Sequence, residues 1–423
     1  MAKARAAKKR RSSWQEHAVN LPALDKLLDV PSYEDVAPSA EQVAAFEAVC
    51  TAHPEAADEL ALGCVCRLDR GFPAVLTPQG PVRAEHAVQI AKESDLLKPA
   101  VGDWVALRCP QDHDRAVIEQ VLPRWSDVAR WRGTTRGERQ TLAANVDIVL
   151  IAQAESDRGI SLDRIARSAT IAADSHSAWA VVLTKADRAA SPEALAADIA
   201  SIHEVLGLDA PVVACASLLE GPAAKESIPA EKPLASLAEA VLGEGAAWGL
   251  DAVRDLVPPR KVGMVLGQSG AGKSTLLNAL LGHEALETGE VRQRDDAGRH
   301  TTVTRRMVKL PGAGVIIDCP GLRSLPLVGH ERGLAQVLPQ VAQAATRCKF
   351  RDCTHSHEPG CGVIEACEEG LFSAAALGVY RALADEMRQS ADSLDPDVRL
   401  SPQVALATGR WRGAAGEGQS LRI

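Results

Sequence analysis

The sequence predicts a multidomain α/β protein: a small β-barrel, then a doubly wound parallel sheet, then a short helical unit. Three observations predict it. Five short β runs separated by turn signals lie between Leu62 and Val128. Near-continuous apolar strands alternate with helical stretches from Val146 to Ile317. A cysteine-histidine cluster sits between two helical stretches after Glu331. At 423 residues the chain exceeds one ordinary core. Hydrophobic content is 46% but aromatics only 3%, so Ala, Val and Leu must fill the cores. The formal charge of −8 argues against attraction of the whole molecule to nucleic acid, and local patches need separate reading. No apolar run reaches the ~18 residues of a membrane span and no apolar signal segment opens the chain. The expectation is therefore a cytoplasmic protein away from membranes, whose clustered cysteines mean metal or chemistry, not disulfides.

Residues 1–33 are expected as a disordered tail, with Lys3, Arg5, Lys8, Lys9, Arg10 and Arg11 crowding its start. Such a tail either solubilises or touches a phosphate backbone. A helical lead-in, 34–61, contains Ser39-Ala40-Glu41-Gln42, a capping box ahead of an apolar run. Residues 62–128 carry the five strands of the barrel, of the oligonucleotide-binding (OB) type or another small β module. A linker, 129–142, comes next. Around it the basic stretch Arg124 to Arg139 holds Trp125 and Trp131, which suits either stacked bases and phosphates or core packing. The α/β domain spans 143–328, with an Ala-, Glu- and Pro-rich insertion at 220–246. Residues 329–390 form the helical unit and 391–423 a tail.

The chemistry centres on Gly267-Gln268-Ser269-Gly270-Ala271-Gly272-Lys273-Ser274-Thr275, which fits the phosphate-binding loop pattern. The glycines let successive N–H groups point inward at phosphate oxygens. Lys273 sets a point charge against the outer phosphates, and Ser274 can ligate Mg²⁺. An apolar strand precedes the loop and a helix succeeds it, whose N-terminus favours an anion. The base is read elsewhere. Thr184-Lys185-Ala186-Asp187 ends a buried strand, where ligands bind in such sheets. The Asp187 carboxylate can accept from the ring N–H and amine of guanine, and adenine would leave it unpaired. Lys185 can pack along the base, and Ala216 can offer a backbone N–H to the guanine carbonyl.

Asp318-Cys319-Pro320-Gly321 fits Asp-x-x-Gly. Asp318 would hold Mg²⁺ through water and the Gly321 N–H would face the γ-phosphate. In Arg299-His300-Thr301-Thr302, Thr302 is favoured over Thr301 as a second Mg²⁺ ligand. Leu322 stands where many GTPases place a water-orienting Gln, and an apolar side chain cannot do that work; His300 is the replacement, or else a switch residue facing a partner. The guanine readers precede the phosphate loop, the reverse of the familiar order. This is a circular permutation, which leaves the pocket intact because the loops converge at the strand ends.

With these motifs, and with Val101-Gly102-Asp103-Trp104-Val105, Leu142-Ala143-Ala144-Asn145-Val146-Asp147 and Gly298-Arg299-His300-Thr301-Thr302, the chain resembles the circularly permuted, ribosome small-subunit-dependent GTPases of the RsgA/YjeQ family from about Leu62 to Tyr380. The resemblance implies an OB barrel touching ribosomal RNA. It also implies a cytoplasmic GTPase that turns GTP into GDP and phosphate late in small-subunit maturation, stimulated by that subunit; a monomer is expected, with other assembly factors as further partners. Thr184 stands where the family more often has Asn, which predicts a weaker brace between base loop and phosphate loop. Two other functions fit the motifs less fully: an RNA-binding assembly scaffold with nucleotide as a conformational ligand, and a phosphate-loop kinase.

Cys348, Cys353, His355 and Cys361 supply three thiolates and an imidazole within fourteen residues, a closed tetrahedral set for one structural zinc ion. His357 competes with His355 by position, and Cys367 falls on the next helix. The zinc would staple helical stretches from Glu331 to Ala345 and from Ser373 to Arg388.

Overall fold

A computed structural model describes residues 29–68, 72–87, 98–109, 115–132, 138–220, 234–283, 305–319 and 327–392. Residues 1–28 of the expected tail, residues 221–233 of the insertion, the segment with His300, Thr301 and Thr302, the segment with Gly321 and Leu322, and the tail beyond 392 lie outside the described residues. Residues 29–33, expected as part of the disordered tail, are instead packed, with Asp29 O accepting from Lys309 N and Tyr33 set edge-on against Trp104.

Helix α1 (Ala40–Ala52) begins at a true capping box: Ser39 Oγ accepts from Gln42 N at 3.2 Å, and Gln42 Oε1 accepts from Ser39 N at 3.0 Å. The Gln42 amide then donates to Pro123 O and Asn145 Oδ1, tying the lead-in to the end of the barrel and the start of the sheet domain. Strands β1 (Leu60–Leu68), β2 (Pro73–Thr77), β3 (Gly80–His86), β4 (Trp104–Arg108) and β5 (Ala116–Val121) close in the order β1-β2-β3-β5-β4, with β4 returning to β1. This five-stranded closure fits the OB type. β1 can serve both neighbours because it is long. Its first half pairs with β4, its second half with β2, and the register shift between Val65 and Arg67 bends it between them. Val65, Val75, Val82, Leu107 and Ile118 fill the barrel.

The described residues of the segment expected as a linker, 129–142, are strand-paired instead. β6 (Asp127–Arg132) and β7 (Glu138–Ala144) form an antiparallel hairpin between barrel and sheet. Arg124, in the basic stretch, points inward. It makes two 2.7 Å hydrogen bonds to Asp103 and one of 2.8 Å to Thr141 Oγ1. Asp103 is fully buried, so burial pushes its carboxyl up while the Arg124 guanidinium pulls it back. A buried carboxylate needs such a partner, and that need outweighs the solvent contact a basic stretch suggests. Gly102 is obligatory at this seam: its φ is +97°, and a Cβ would lie 2.0 Å from Ala144 O.

Alternation then gives β8 (Ile148–Ala154), α2 (Leu162–Asp174), β9 (Ala178–Thr184), α3 (Pro192–Leu206), β10 (Val212–Cys215), α4 (Leu234–Gly243), β11 (Ala247–Trp248), α5 (Leu250–Asp255), β12 (Val262–Leu266), α6 (Lys273–Leu281), β13 (Arg305–Lys309) and β14 (Val315–Asp318). In space the order is β11-β10-β9-β8-β12-β14-β13, parallel except for β13. β13 also pairs with the end of β1, so sheet and barrel share one hydrogen-bonded surface. The chain steps one way from β8 to β11, then returns to the centre at β12. The neighbouring ends of β8 and β12 are therefore the switch point where such sheets bind ligands.

The helical unit holds α7 (Glu331–Val337), α8 (Pro339–Ala345), α9 (Gly362–Glu368) and α10 (Ala374–Asp392). The stretch read as helical from Glu331 to Ala345 is two helices, because Pro339 cannot donate its N–H to a continuing helix and instead starts the second. α7 lies directly on α2: a Cβ on Gly333 would sit 2.1 Å from Thr170 O. His330 Nδ1 meets Asp174 Oδ2 at 3.0 Å and Arg167 pairs with Glu386, so the unit is docked by charge as well as packing. No helix among the described residues is long and apolar enough to cross a membrane.

Candidate functional site

The parallel strands of the central sheet all end on one edge, and the sequence-predicted nucleotide residues within the described part collect there. β12 delivers the phosphate loop and α6 starts at Lys273. Gly270 and Gly272 have φ of +83° and +78°, which Gly alone adopts without strain. Gly267 is needed for space: a Cβ would sit 2.4 Å from Ala152 O on the neighbouring strand. Gln268, Ser269 and Gly270 are exposed, Ala271 is buried, and Ser274 and Thr275 are half-buried at the first helical turn. Lys273 Nζ donates to Gly267 O at 2.6 Å and Gln268 O at 2.7 Å, so it spans the loop from inside.

The base loop is tied directly to this loop. Thr184 Oγ1 donates to Ala271 O at 2.7 Å. Lys185, itself at φ +57°, donates from Nζ to Gly270 O at 2.7 Å. Burial lowers the Lys185 ammonium somewhat from its ordinary value. The Thr184 hydroxyl thus makes a brace of its own in the position where Asn is commoner. Asp187 is half-buried on the short 3₁₀ turn at the end of that loop. Asp318 closes β14, next to β12, and Cys319 behind it is buried with its thiol pushed up to about 12 by desolvation. Cys215 is likewise buried and raised to about 12, so neither thiol is set up as a nucleophile.

Ala216 differs from expectation. Its N–H donates to Glu220 Oε1 at 2.9 Å, and Glu220 Oε2 accepts from Leu250 N at 3.1 Å. Glu220 therefore shapes the loop after β10. Sequence reasoning missed it because a carboxylate in an insertion reads as solvent-facing. A second missed group is Glu155, at the end of β8. It is 1% exposed and its N–H donates to Thr184 O at 2.8 Å. Its carboxyl faces Asp198, and burial, then that neighbouring acid, push it up to about 8.

The Cys348, Cys353, His355 and Cys361 side chains converge, with ligand atoms all within 4.8 Å of one another and all four residues buried. The set can be tested against a metal. Tetrahedral zinc with ordinary bond lengths separates two sulfurs by about 3.8 Å and a sulfur from a nitrogen by about 3.6 Å. The observed Cys348 Sγ to Cys361 Sγ distance is 3.9 Å, and each of those sulfurs lies 3.5 Å from His355 Nδ1. The residues fit. His357 is exposed and stands apart from the set, and Cys367 is on α9. The knuckle has an organiser absent from the motif: Glu358 accepts from Thr354 N and Oγ1 and from Ser356 N, bonds that hold its carboxyl well below the usual range.

Comparison with known proteins gives a single answer. The RsgA GTPase family matches residues 235–328. The small ribosomal subunit biogenesis GTPase RsgA of Streptomyces coelicolor is 37% identical over 86% of this chain and 90% of its own length. Its namesake in Methanosarcina acetivorans is 33% identical over 74% and 76%. The crystal structure of YjeQ from Thermotoga maritima shares the fold, with a TM-score of 0.54 at 21% identity, covering 78% of this chain and 99% of that one. YloQ, described as a circularly permuted GTPase, superimposes with a TM-score of 0.50 at 18% identity, over 78% and 96%. The parallel sheet with its permuted motif order and the identity to full-length relatives agree: this chain belongs to the RsgA family of GTPases.

Proposed function

We propose that the chain binds the small ribosomal subunit and hydrolyses GTP to GDP and phosphate during late small-subunit maturation, in the cytoplasm and as a monomer, with hydrolysis stimulated by the subunit and its rRNA. The observation that carries the nucleotide part is the tie of Thr184 and Lys185 to the phosphate loop, which holds base reader and phosphate cradle as one unit. The names of the relatives, small ribosomal subunit biogenesis GTPases, support the partner.

In this reading Asp187 accepts from guanine and Lys185 lies along it. The 216–217 turn offers an N–H to the guanine carbonyl once Glu220 gives way or a neighbouring amide serves. Residues 267–275 cradle the phosphates, and Lys273 balances charge that builds on the β- and γ-phosphate oxygens. Mg²⁺ supplies further neutralisation of that charge; Ser274 and Thr302 would ligate it and Asp318 would hold it through water. Gly321 would face the γ-phosphate and His300 would orient water, since Leu322 cannot. Slow turnover is expected of the free chain, because Leu322 leaves the water poorly placed until the subunit is bound. Zinc would be bound by Cys348, Cys353, His355 and Cys361, and its part is structural.

The test is the GTPase rate with and without small subunits. Stimulation is expected, and equal rates would refute the partner assignment. Asp187→Asn should shift preference from GTP towards XTP by on the order of 10²-fold, by the same logic of a mismatched buried polar group. An unchanged preference would refute the base assignment.

A further inference from the structure

The opposite edge of the parallel sheet carries a feature that the nucleotide reading does not use. The lead-in, the barrel and the residues just before β8 and β12 enclose a cavity of about 320 Å³. Asp147 and Lys261 line it, whereas the phosphate loop leaves β12 at the other end, roughly 17 Å away along five extended residues. The cavity lies where three regions meet, a common setting for ligand pockets, and its volume is at the small end of their range.

Its walls and charges define what would fit. Trp104 is 2% exposed and Trp125 half-buried, and both line the cavity. Among the described residues neither indole N–H is committed to a hydrogen bond. The one carboxylate, Asp147, is already engaged: Lys261 Nζ at 2.9 Å on one oxygen and Val262 N at 2.8 Å on the other. Arg260 is exposed and has no ion-pair partner among the described residues. The cavity therefore offers donors, positive charge and an aromatic wall.

Arg260 is also held in an unusual conformation. Its φ is +69°, in a turn closed by Lys261 N to Pro258 O at 3.0 Å. That third position of a turn favours Gly. The turn is wedged in place by Gly314, where a Cβ would lie 2.3 Å from Lys261 O and 2.5 Å from Pro258 O. A long cationic side chain thus stands on a stiff turn where a glycine would be less strained, as binding sites tend to show.

We propose that this cavity is a second ligand site that takes a planar heteroaromatic ring bearing one phosphate, with the ring against Trp125 and the phosphate on Arg260. The source is a free nucleoside monophosphate or one residue of a single-stranded RNA. The site does not depend on the guanine assignment, because it shares no residue with the phosphate-loop edge.

The test uses the full chain saturated with GDP and Mg²⁺, so that the phosphate-loop edge is filled. UMP and AMP are titrated by calorimetry, and a fluorescein-labelled hexauridylate by anisotropy. Binding of at least one probe is expected, weakened about tenfold or more by Trp125→Leu, as loss of a base–indole stack would require. Arg260→Gly should weaken it similarly while thermal stability stays equal or rises, because Gly relieves the turn; this variant decides the matter should Trp125→Leu fail to fold. Binding of UMP or AMP assigns free nucleotide as sufficient, and binding of the RNA alone assigns the strand as the source. No binding of any of the three probes, or binding that Arg260→Gly leaves unchanged, overturns the proposal.

Discussion

The Cys348–Cys361 knuckle and the candidate nucleotide edge are assembled in opposite ways. At the knuckle, four ligand atoms come from Cys348 to Cys361, a local loop held by Glu358, and their spacing already matches a tetrahedral metal. At the nucleotide edge, Thr184, Lys185, Gly267–Thr275 and Asp318 come from three separated strands, and the sheet brings them together. Two side chain-to-carbonyl hydrogen bonds then lock two of the loops. Under the proposed zinc assignment, a local constellation concentrates its stability in one ion. A distributed one spreads it over strand register, glycine space and hydrogen bonds, so single changes at the two places should differ sharply in size.

Removing one zinc ligand should have the largest effect. Structural zinc contributes an apparent ~10–16 kcal/mol to the folding of small units at neutral pH. Cys361→Ser should cut bound zinc well below one equivalent and melt α7–α10 early, while GDP binding persists because the phosphate loop is in another layer. Elemental analysis with thermal scans checks this. A full equivalent of zinc and an unchanged transition would erase the contrast.

What could be read in advance obeys the same division. The knuckle ligands sit within one short window, so residue type and spacing alone identified them. The phosphate loop, the Thr184–Asp187 turn and Asp318 were legible because each motif ends or succeeds an apolar strand, and parallel strands end on one edge. Glu220, Glu155 and Glu358 were not legible. Glu155 acts through burial, and Glu220 and Glu358 act by accepting from backbone N–H groups that only the folded loop aims at them, whereas a carboxylate in sequence looks like solvent-facing charge. Arg124 failed in the other direction: a basic stretch with Trp125 suggested nucleic-acid contact, and the requirement to pair buried Asp103 took the arginine inside. The hairpin β6–β7 escaped because arginine-rich strands lack the apolar alternation that marks strands.

The second effect sharpens the comparison with pH. Glu155 abuts Thr184 at the nucleotide edge, and its carboxyl is raised from 4.5 to about 8, first by burial and then by Asp198. The folded chain keeps a proton there that the unfolded chain loses. The associated stability is fully present below pH 4.5 and is lost as pH rises through about 8. The slope can reach about 1.4 kcal/mol per pH unit for one such proton. Urea midpoints of the wild type should fall between pH 5 and 8 relative to Glu155→Gln, whose amide does not titrate. Superimposable profiles would show that the carboxyl pair is not linked to folding. The knuckle variant should retain the wild-type slope, since Glu155 and Asp198 belong to the β8 end and α3.

The smallest effect isolates a single bond of the distributed site. Thr184→Val keeps the shape of the side chain and removes its hydroxyl, leaving Ala271 O without the donor now at 2.7 Å. A lost hydrogen bond of this kind costs about 1–2 kcal/mol, which converts to roughly 5- to 30-fold in nucleotide affinity if the brace matters to the bound state. Fluorescent GDP titration measures it. Thr184→Asn, which also carries a donor and is the commoner residue in the resembling family, should recover most of the loss. Zinc content should not move in either variant. If Thr184→Val binds GDP as the wild type does, the base loop is held by Lys185 and the strand register alone. The nucleotide edge would then be more local in its energetics than its assembly from separate strands implies.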